Sequence, residues 1–236
     1  MTTLDISIVV PAFNEEKNLP QLLKTIKNQD FKGDFEIIVV DNNSTDKTAQ
    51  IAKKLGARVV KEKIQGIGPA KNRGCLEAKG EILAICDADN LLPPNWLSTI
   101  WENFSQSKRI VAVSGSVFIF GVPKIASYLF WFFYLVFLKI FKRLEGCNMA
   151  FRKEAFLKAG GFTKGIKFGE NIDIGEKLKR IGKIVIDPKL FVYFSPRRYQ
   201  KHGWIKGMFP YLKYEISFFF TRKTKVLKKA YLPPIN

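Results

Sequence analysis

The chain holds a single histidine, His202, among its 236 residues. A histidine-rich metal centre and a catalytic triad drawing on several histidines are thereby excluded, and His202 reads as a surface or structural residue, with a place in a cation's shell as the alternative. Cysteine is nearly as scarce: Cys75, Cys86 and Cys147 are odd in number, widely spaced and without a metal-ligand pattern. That removes a disulfide framework and points to a reduced compartment, with the three thiols in the core. Acids are short relative to bases, 21 against 39, which leaves a formal net charge of +18. Such an excess calls for an anionic partner: a nucleotide, a nucleic acid or an anionic membrane. Two glycine-rich nucleotide motifs are missing as well. Gly66-Ile67-Gly68-Pro69 lacks the third glycine and does not follow the first strand, and no GxxxxGK[ST] loop exists. The opening MTTLDISIVV has no basic stretch and is not read as a signal peptide.

What is present alternates. Ile6–Val10, Glu36–Val40 and Arg58–Val60 are short apolar runs that predict buried strands. Between them, Leu19, Leu22, Leu23 and Ile26 recur at helical spacing, with Asn14 as the expected cap and Glu15 and Glu16 in the first turn. The polar stretch Asp41–Asp46 caps a second helix that stops at Leu55-Gly56, and Pro69 is placed as the first residue of a third helix carrying Lys71 and Arg73. Three strand–helix units with short connections imply right-handed crossovers and a parallel sheet.

The fourth apolar run, Ile82–Cys86, ends in Asp87-Ala88-Asp89. Carboxylates at i and i+2 of a strand end face the same way and can grip one hard cation, Mg2+ or Mn2+, which shares its remaining positions with phosphate oxygens. Ligands of open parallel sheets sit beyond the carboxyl ends of the strands. The residues there, Pro11–Glu15, Asp41–Asp46 and Asp87–Asp89, are polar in all three places, which points to a nucleotide site.

Past Asp89 the rhythm changes. A helix is expected from Pro93-Pro94 to about Phe104, a strand at Ile110–Val113, another over Glu145–Phe151, and closing strands at Lys183–Asp187 and Leu190–Phe194. Ile125–Leu138 is an uncharged, aromatic-rich run flanked by Lys124 and by Lys139–Arg143. It is shorter than the roughly 20 residues needed to span a bilayer, and its basic ends fit a helix lying in the headgroup region; a core helix and a true span are the alternatives. Glu170 and Asp173 fall on one face of a predicted helix with Lys177 a turn further on, a spacing that by itself reads as a solvated surface. From Arg197 onward, Lys and Arg are interleaved with aromatic residues, a pattern that suits an anionic lipid surface better than nucleic acid given the neighbouring aromatic run. Arg197 and Arg198 can pair bidentately with phosphate, in the donor diphosphate or in an acceptor.

Taken together, Val9–Glu16, Asp41–Asp46, Asp87-Ala88-Asp89 and Gly160-Gly161-Phe162 before an acidic helix resemble the inverting family 2 glycosyltransferases of GT-A fold, over about residues 5–200. The resemblance implies an α/β, Rossmann-like, mostly parallel sheet flanked by helices, with the aromatic-rich membrane-contacting helix and a basic helical tail added. Residues 1–90 would be the nucleotide half, 91–200 the acceptor half and 201–236 an extension. It further implies that Pro11, Ala12 and Glu15 hold base and ribose, that Asp41 reads the base edge, that Asp87 and Ala88 lie at the ribose or metal, and that Asp89 holds Mg2+ or Mn2+ on the diphosphate of a UDP- or GDP-sugar.

Three positions depart from the family pattern. Lys71 stands at the usual Arg position, with Arg73 as a substitute nucleotide contact, and Lys177 replaces a second Arg. The usual Glu-Asp pair is Glu170-Asn171, and an amide cannot accept the acceptor's proton. Either Glu170 or Asp173 is the catalytic base, or the acceptor is a lipid phosphate that needs none. The expectation is an enzyme peripheral on the cytoplasmic face of a membrane, acting on a lipid-linked or lipid-phosphate acceptor with no nucleic-acid partner. The competing expectation is a catalytically impaired nucleotide-binding or membrane-scaffolding protein of the same fold.

Overall fold

The computed structural model describes residues 4–166 and 169–197. Along the chain the elements are β1 (Ile6–Ala12), α1 (Leu19–Lys27), β2 (Phe35–Asp41), α2 (Thr48–Lys54), β3 (Arg58–Lys61), α3 (Ile67–Glu77) and β4 (Ile82–Cys86). They continue with α4 (Trp96–Ser105), β5 (Ile110–Ile119), α5 (Lys124–Phe141), β6 (Asn148–Arg152), α6 (Lys153–Lys158), α7 (Glu170–Lys179) and β7 (Lys183–Phe194). All seven strands join one sheet in the order β3-β2-β1-β4-β6-β5-β7. β1 pairs in parallel with both β2 and β4, and β5 with β7, while β6 runs antiparallel to β4 and β5.

β1 and β4 are buried along their whole lengths because helices cover both faces. Ile6, Ile8, Val10, Ala84 and Cys86 point into one apolar layer with α1 and α4; Val9, Leu83 and Ile85 point into the other with Phe151, Phe156 and Ile174. Gly74 lets α3 lie directly on the sheet: a Cβ there would come within 2.3 Å of Val9 and 2.8 Å of Val40. The order reverses direction at β1, so the rim beyond β1 and β4 is the crevice where such sheets hold ligands.

Several expected boundaries move. The first helix begins at Leu19, not after Asn14, because Asn14 adopts a left-handed φ of 55° and its polar groups bond across to the next rim loop instead of capping. α3 starts at Ile67, with Pro69 inside its first turn. The strand expected over Glu145–Phe151 begins only at Asn148; residues 145–147 form a turn, closed by Asn148 N–H to the Glu145 carbonyl at 3.1 Å. The expected strand at Ile110–Val113 runs on to Ile119, and the two expected closing strands are one, β7, paired to β5 through a register irregularity. The three cysteines are free and buried, and burial raises their pKa values, as inert core thiols require.

α5 is not a core helix. It seats Ser127, Leu135 and Leu138 on the protein and turns Ile125 (77% exposed), Tyr128, Leu129, Phe132, Phe133 (66%), Val136 and Ile140 (67%) outward. Lys124, Lys139 and Lys142 at its ends are exposed, whereas Arg143, expected to share in that basic flank, is buried and paired with Glu176 at 2.8 Å. Among the described residues α5 is the one helix long and apolar enough to cross a membrane, at 18 residues and a mean hydropathy of 1.6.

Candidate active site

Three loops end at the rim of the sheet. β1 and β2 finish side by side, with Ala12 opposite Asp41, and the Asn42 N–H donates to the Ala12 carbonyl at 2.9 Å. The Asp41 carboxylate accepts the Ser44 N–H at 3.0 Å, which shapes the second loop. Ser44 Oγ in turn accepts from Asn14 N–H, and Asn14 Oδ1 accepts from Thr45 N–H. Thr48 Oγ1 and Asp46 Oδ2 receive the backbone N–H groups of Glu15 and Glu16 at 2.8 and 3.1 Å. Asn42 extends the tie to a further segment, donating to the carbonyls of Glu62 and Ile64 and accepting from Gly66 N–H. Backbone groups held this way are preorganised before any ligand arrives.

The third loop joins through Arg197. Its Nε donates to Asp89 Oδ2 at 2.9 Å and its other arm pairs with Glu15. Pro11, Ala12, Glu15, Asp41, Asp87, Ala88, Asp89 and Arg197 thus stand along one rim. Burial raises the Asp89 carboxyl above the usual range; the Arg197 guanidinium opposes the shift and the Glu15 charge adds to it. The place between Glu15 and Asp89 therefore accommodates a positive charge. Asp87 and Asp89 offer hard oxygen donors of the kind Mg2+ and Mn2+ take, so the residues present fit such an ion. Among the described residues no three His, Cys, Asp or Glu side chains converge as a complete cage.

Behind the rim lies a buried ion pair. Lys71, only 1% exposed, donates to Glu170 Oε1 at 2.7 Å and to the Gly146 carbonyl at 2.9 Å. Burial works against its charge, but the Glu170 and Asp87 carboxylates outweigh that and hold its pKa above the ordinary value. Arg73 is not there. Residues two apart on a helix face different ways, so Arg73 points outward, 47% exposed on its side chain, and pairs with Glu77 at 2.9 Å. Its expected place in the nucleotide site is corrected accordingly.

Glu170 and Asp173 do not share a solvated face. Both are buried; Glu170 goes to Lys71, while Asp173 accepts Thr163 N–H at 3.1 Å and pairs with Lys177 at 2.9 Å. Lys177 continues to the Gly161 carbonyl and Thr163 Oγ1. Asn171 donates to the Leu144 carbonyl at 2.6 Å.

One rim group escaped the sequence reading. Glu145, half-buried in the turn before β6, accepts the Tyr134 hydroxyl of α5 and lies 3.4 Å from both Cys147 N and Sγ. Burial raises its carboxyl pKa, hydrogen bonds from Tyr134 and Cys147 lower it, and the Asp87 charge raises it further. A Glu-Gly pair directly before an apolar strand was the available signal, but reading 145–151 as strand hid it. Arg198, His202 and the basic aromatic segment 201–236 lie outside the described residues.

The mostly parallel seven-stranded sheet with its antiparallel insertion is a GT-A fold. Residues 7–162, well over half the chain, match the model of glycosyl transferase family 2, and the chain belongs to that family. Its fold is similar to that of the mannosyltransferase PcManGT from Pyrobaculum calidifontis, solved in complex with GDP-Man and Mn2+. That match has a TM-score of 0.73 at 22% identity and covers 97% of this chain and 66% of the other. Staphylococcus aureus TarS 1-349 in complex with UDP matches with a TM-score of 0.67 at 23% identity, over 84% and 63%. Among curated proteins, the dolichol-phosphate mannosyltransferase of Pyrococcus furiosus is 30% identical over 112 residues, 45% of this chain and 32% of that one. The GalNAc(5)-diNAcBac-PP-undecaprenol beta-1,3-glucosyltransferase of Campylobacter jejuni is 36% identical over 108 residues, 43% and 35%. The chain thus matches about a third of the length of these curated relatives.

Proposed function

We propose that the protein transfers a sugar, with inversion, from a UDP- or GDP-sugar to an acceptor presented at a membrane surface. The observation that carries this reading is the joining of three acidic rim loops on the same molecule as a helix whose apolar face is exposed among the described residues. In it, Pro11, Ala12 and Glu15 line the base and ribose, Asp41 reads the base edge, and Asp87 and Ala88 lie against the ribose. Asp89, with Asp87, holds Mg2+ or Mn2+. Bound there, that ion would supply positive charge to the diphosphate as it departs. Arg197 contributes a guanidinium that can turn from the carboxylates to phosphate, whether of the donor or of a lipid. Lys71, Glu170, Asp173 and Lys177 hold the rim's rear wall and keep the start of α7 in place.

The membrane part rests on α5. Seven outward apolar side chains with lysines at both ends fit insertion to headgroup depth on an anionic bilayer, not crossing, since the opposite face is packed on β5. Peripheral attachment at the cytoplasmic leaflet places this helix beside a lipid-borne acceptor. The names of the Campylobacter and Pyrococcus furiosus relatives, which mention undecaprenol and dolichol phosphate, support the same acceptor class.

The test is turnover of radiolabelled UDP- and GDP-sugars with Mn2+ and a lipid extract. Labelled product in the lipid phase is expected, with a loss on the order of 10³-fold in Asp89→Ala at an unchanged melting temperature. Full turnover in Asp89→Ala removes the metal role, and no turnover of any donor favours a binding or scaffolding protein instead.

A further inference from the structure

Resting on that transfer reading, the geometry points to Glu145 as the general base, taking the proton of an acceptor hydroxyl as its oxygen attacks the anomeric carbon. The family's aspartate position is Asn171, whose amide is spent on the Leu144 carbonyl. The two neighbouring acids are committed as well: Glu170 to Lys71, Asp173 to Lys177 and Thr163. The turn that carries Glu145 lies against this same corner. A Cβ on Gly146 would sit 3.7 Å from Asn171, Glu170 and Lys71 alike, so the carboxylate missing from α7 is offered from the segment next to it.

Register fixes where Glu145 stands. Cys86 pairs with Asn148 at the end of the antiparallel ladder, and Asn90 donates to the Cys147 carbonyl at 3.1 Å, so the turn before Asn148 lies against the loop that follows Cys86. On its other side Glu145 meets α5 through Tyr134. It therefore occupies the rim between the donor's diphosphate seat and the helix that faces the bilayer, where a lipid-borne hydroxyl would enter. The Tyr134 hydroxyl holds Oε2, and among the described residues Oε1 has the two 3.4 Å contacts to Cys147, which leave lone-pair capacity for a further donor. Asp87, Lys71 and Glu170 are the charged groups around this turn; the first opposes ionisation of Glu145.

The step balances without a further reactant. The acceptor oxygen forms its bond to the anomeric carbon, the bond from that carbon to the phosphate oxygen breaks, and the electron pair leaves with the nucleoside diphosphate. The proton passes to Glu145 Oε1 and then to water. Tyr134 is a positioning residue that orients the carboxylate and moderates its pKa.

Donor turnover with lipid extract and Mn2+ should be compared in the wild type, Glu145→Gln, Glu145→Asp and Tyr134→Phe, alongside calorimetric UDP and GDP affinity. Glu145→Gln is expected to lower kcat about 10²–10⁴-fold with nucleotide affinity unchanged, and Glu145→Asp, which keeps the carboxylate, to recover part of it. Tyr134→Phe removes a hydrogen bond to the ionised form, so the acid limb of the pH profile moves to higher pH. Glu145→Gln within tenfold of wild type, binding nucleotide normally, overturns the assignment and makes an already ionised phosphate the acceptor. Wild-type protein that turns over no donor fails earlier, at the transfer reading, and takes this proposal with it.

Discussion

The chain up to residue 90 and the chain after it solve different problems. The first builds parallel strands whose ends are stitched to one another by short hydrogen bonds: Asn14 to Ser44 and Thr45, Glu15 to Thr48, Asn42 to the 62–66 segment. The second inserts an antiparallel strand, leaves one apolar face of an 18-residue helix exposed among the described residues and turns the acids of α7 inward. A rigid rim suits a ligand whose shape is constant, a nucleotide. An apolar outer helix suits a partner that is a surface. The two regions share the β4–β6 ladder, and near the rim they are also joined by Lys71, which reaches from α3 to Glu170 and Gly146.

That meeting point is where the comparison breaks most sharply. Lys71→Met leaves Glu170 buried without its counter-charge and should cost about 3–5 kcal/mol, read from urea denaturation. The double variant Lys71→Met/Glu170→Leu should recover much of the loss. A single-variant cost under about 1 kcal/mol would show that this ion pair does not brace the two regions.

A smaller effect separates the two regions by partner. Replacing Leu129, Phe132, Phe133 and Ile140 with serine removes apolar area from the outer face of α5 alone, and partition onto anionic vesicles should weaken on the order of 100-fold. The melting temperature should hold, because those side chains touch little protein. Unchanged partition would return α5 to the role of an ordinary surface helix. The residual binding through lysines should fall as salt is raised.

The smallest expected effect lies at the far end of the sheet from the rim. Glu36 accepts from Ser7 Oγ, Lys79 N–H and Arg58. Burial pushes its pKa up, but those hydrogen bonds and the Arg58 charge prevail and leave it below 4.5. A depressed carboxyl stabilises the fold above its unfolded pKa, and that contribution is lost as pH falls through the folded value. Glu36→Gln should therefore cost about 1–2 kcal/mol at pH 7 and progressively less below pH 4.5. An unchanged difference at pH 3 would contradict the assignment.

The contrast also explains what could be read from the residues alone. Apolar runs, turn residues and the Asp-Ala-Asp ending are local signals, and the first region is made of them, so its strands and rim loops were legible. The sites of misreading are non-local. Asn14 looks like a cap until Ser44 and Thr45 claim it. Arg73 looks like a neighbour of Lys71 until α3 is laid on the sheet by Gly74 and one face turns outward. Glu170, Asp173 and Lys177 look like a solvated face because nothing in their spacing announces Lys71, ninety-nine residues upstream of Glu170. The outward face of α5 was legible as apolar, but only packing tells which side is covered.

The central claim is that a cation gathered by Asp89 at this rim holds a nucleoside diphosphate. It is tested most directly by calorimetric titration of UDP and of GDP, with and without Mn2+, into the wild-type protein and Asp89→Ala. Binding of one nucleotide should strengthen at least about tenfold with Mn2+ in the wild type and lose that gain in the variant. Nucleotide binding indifferent to both Mn2+ and Asp89, or no binding at all, would contradict the account.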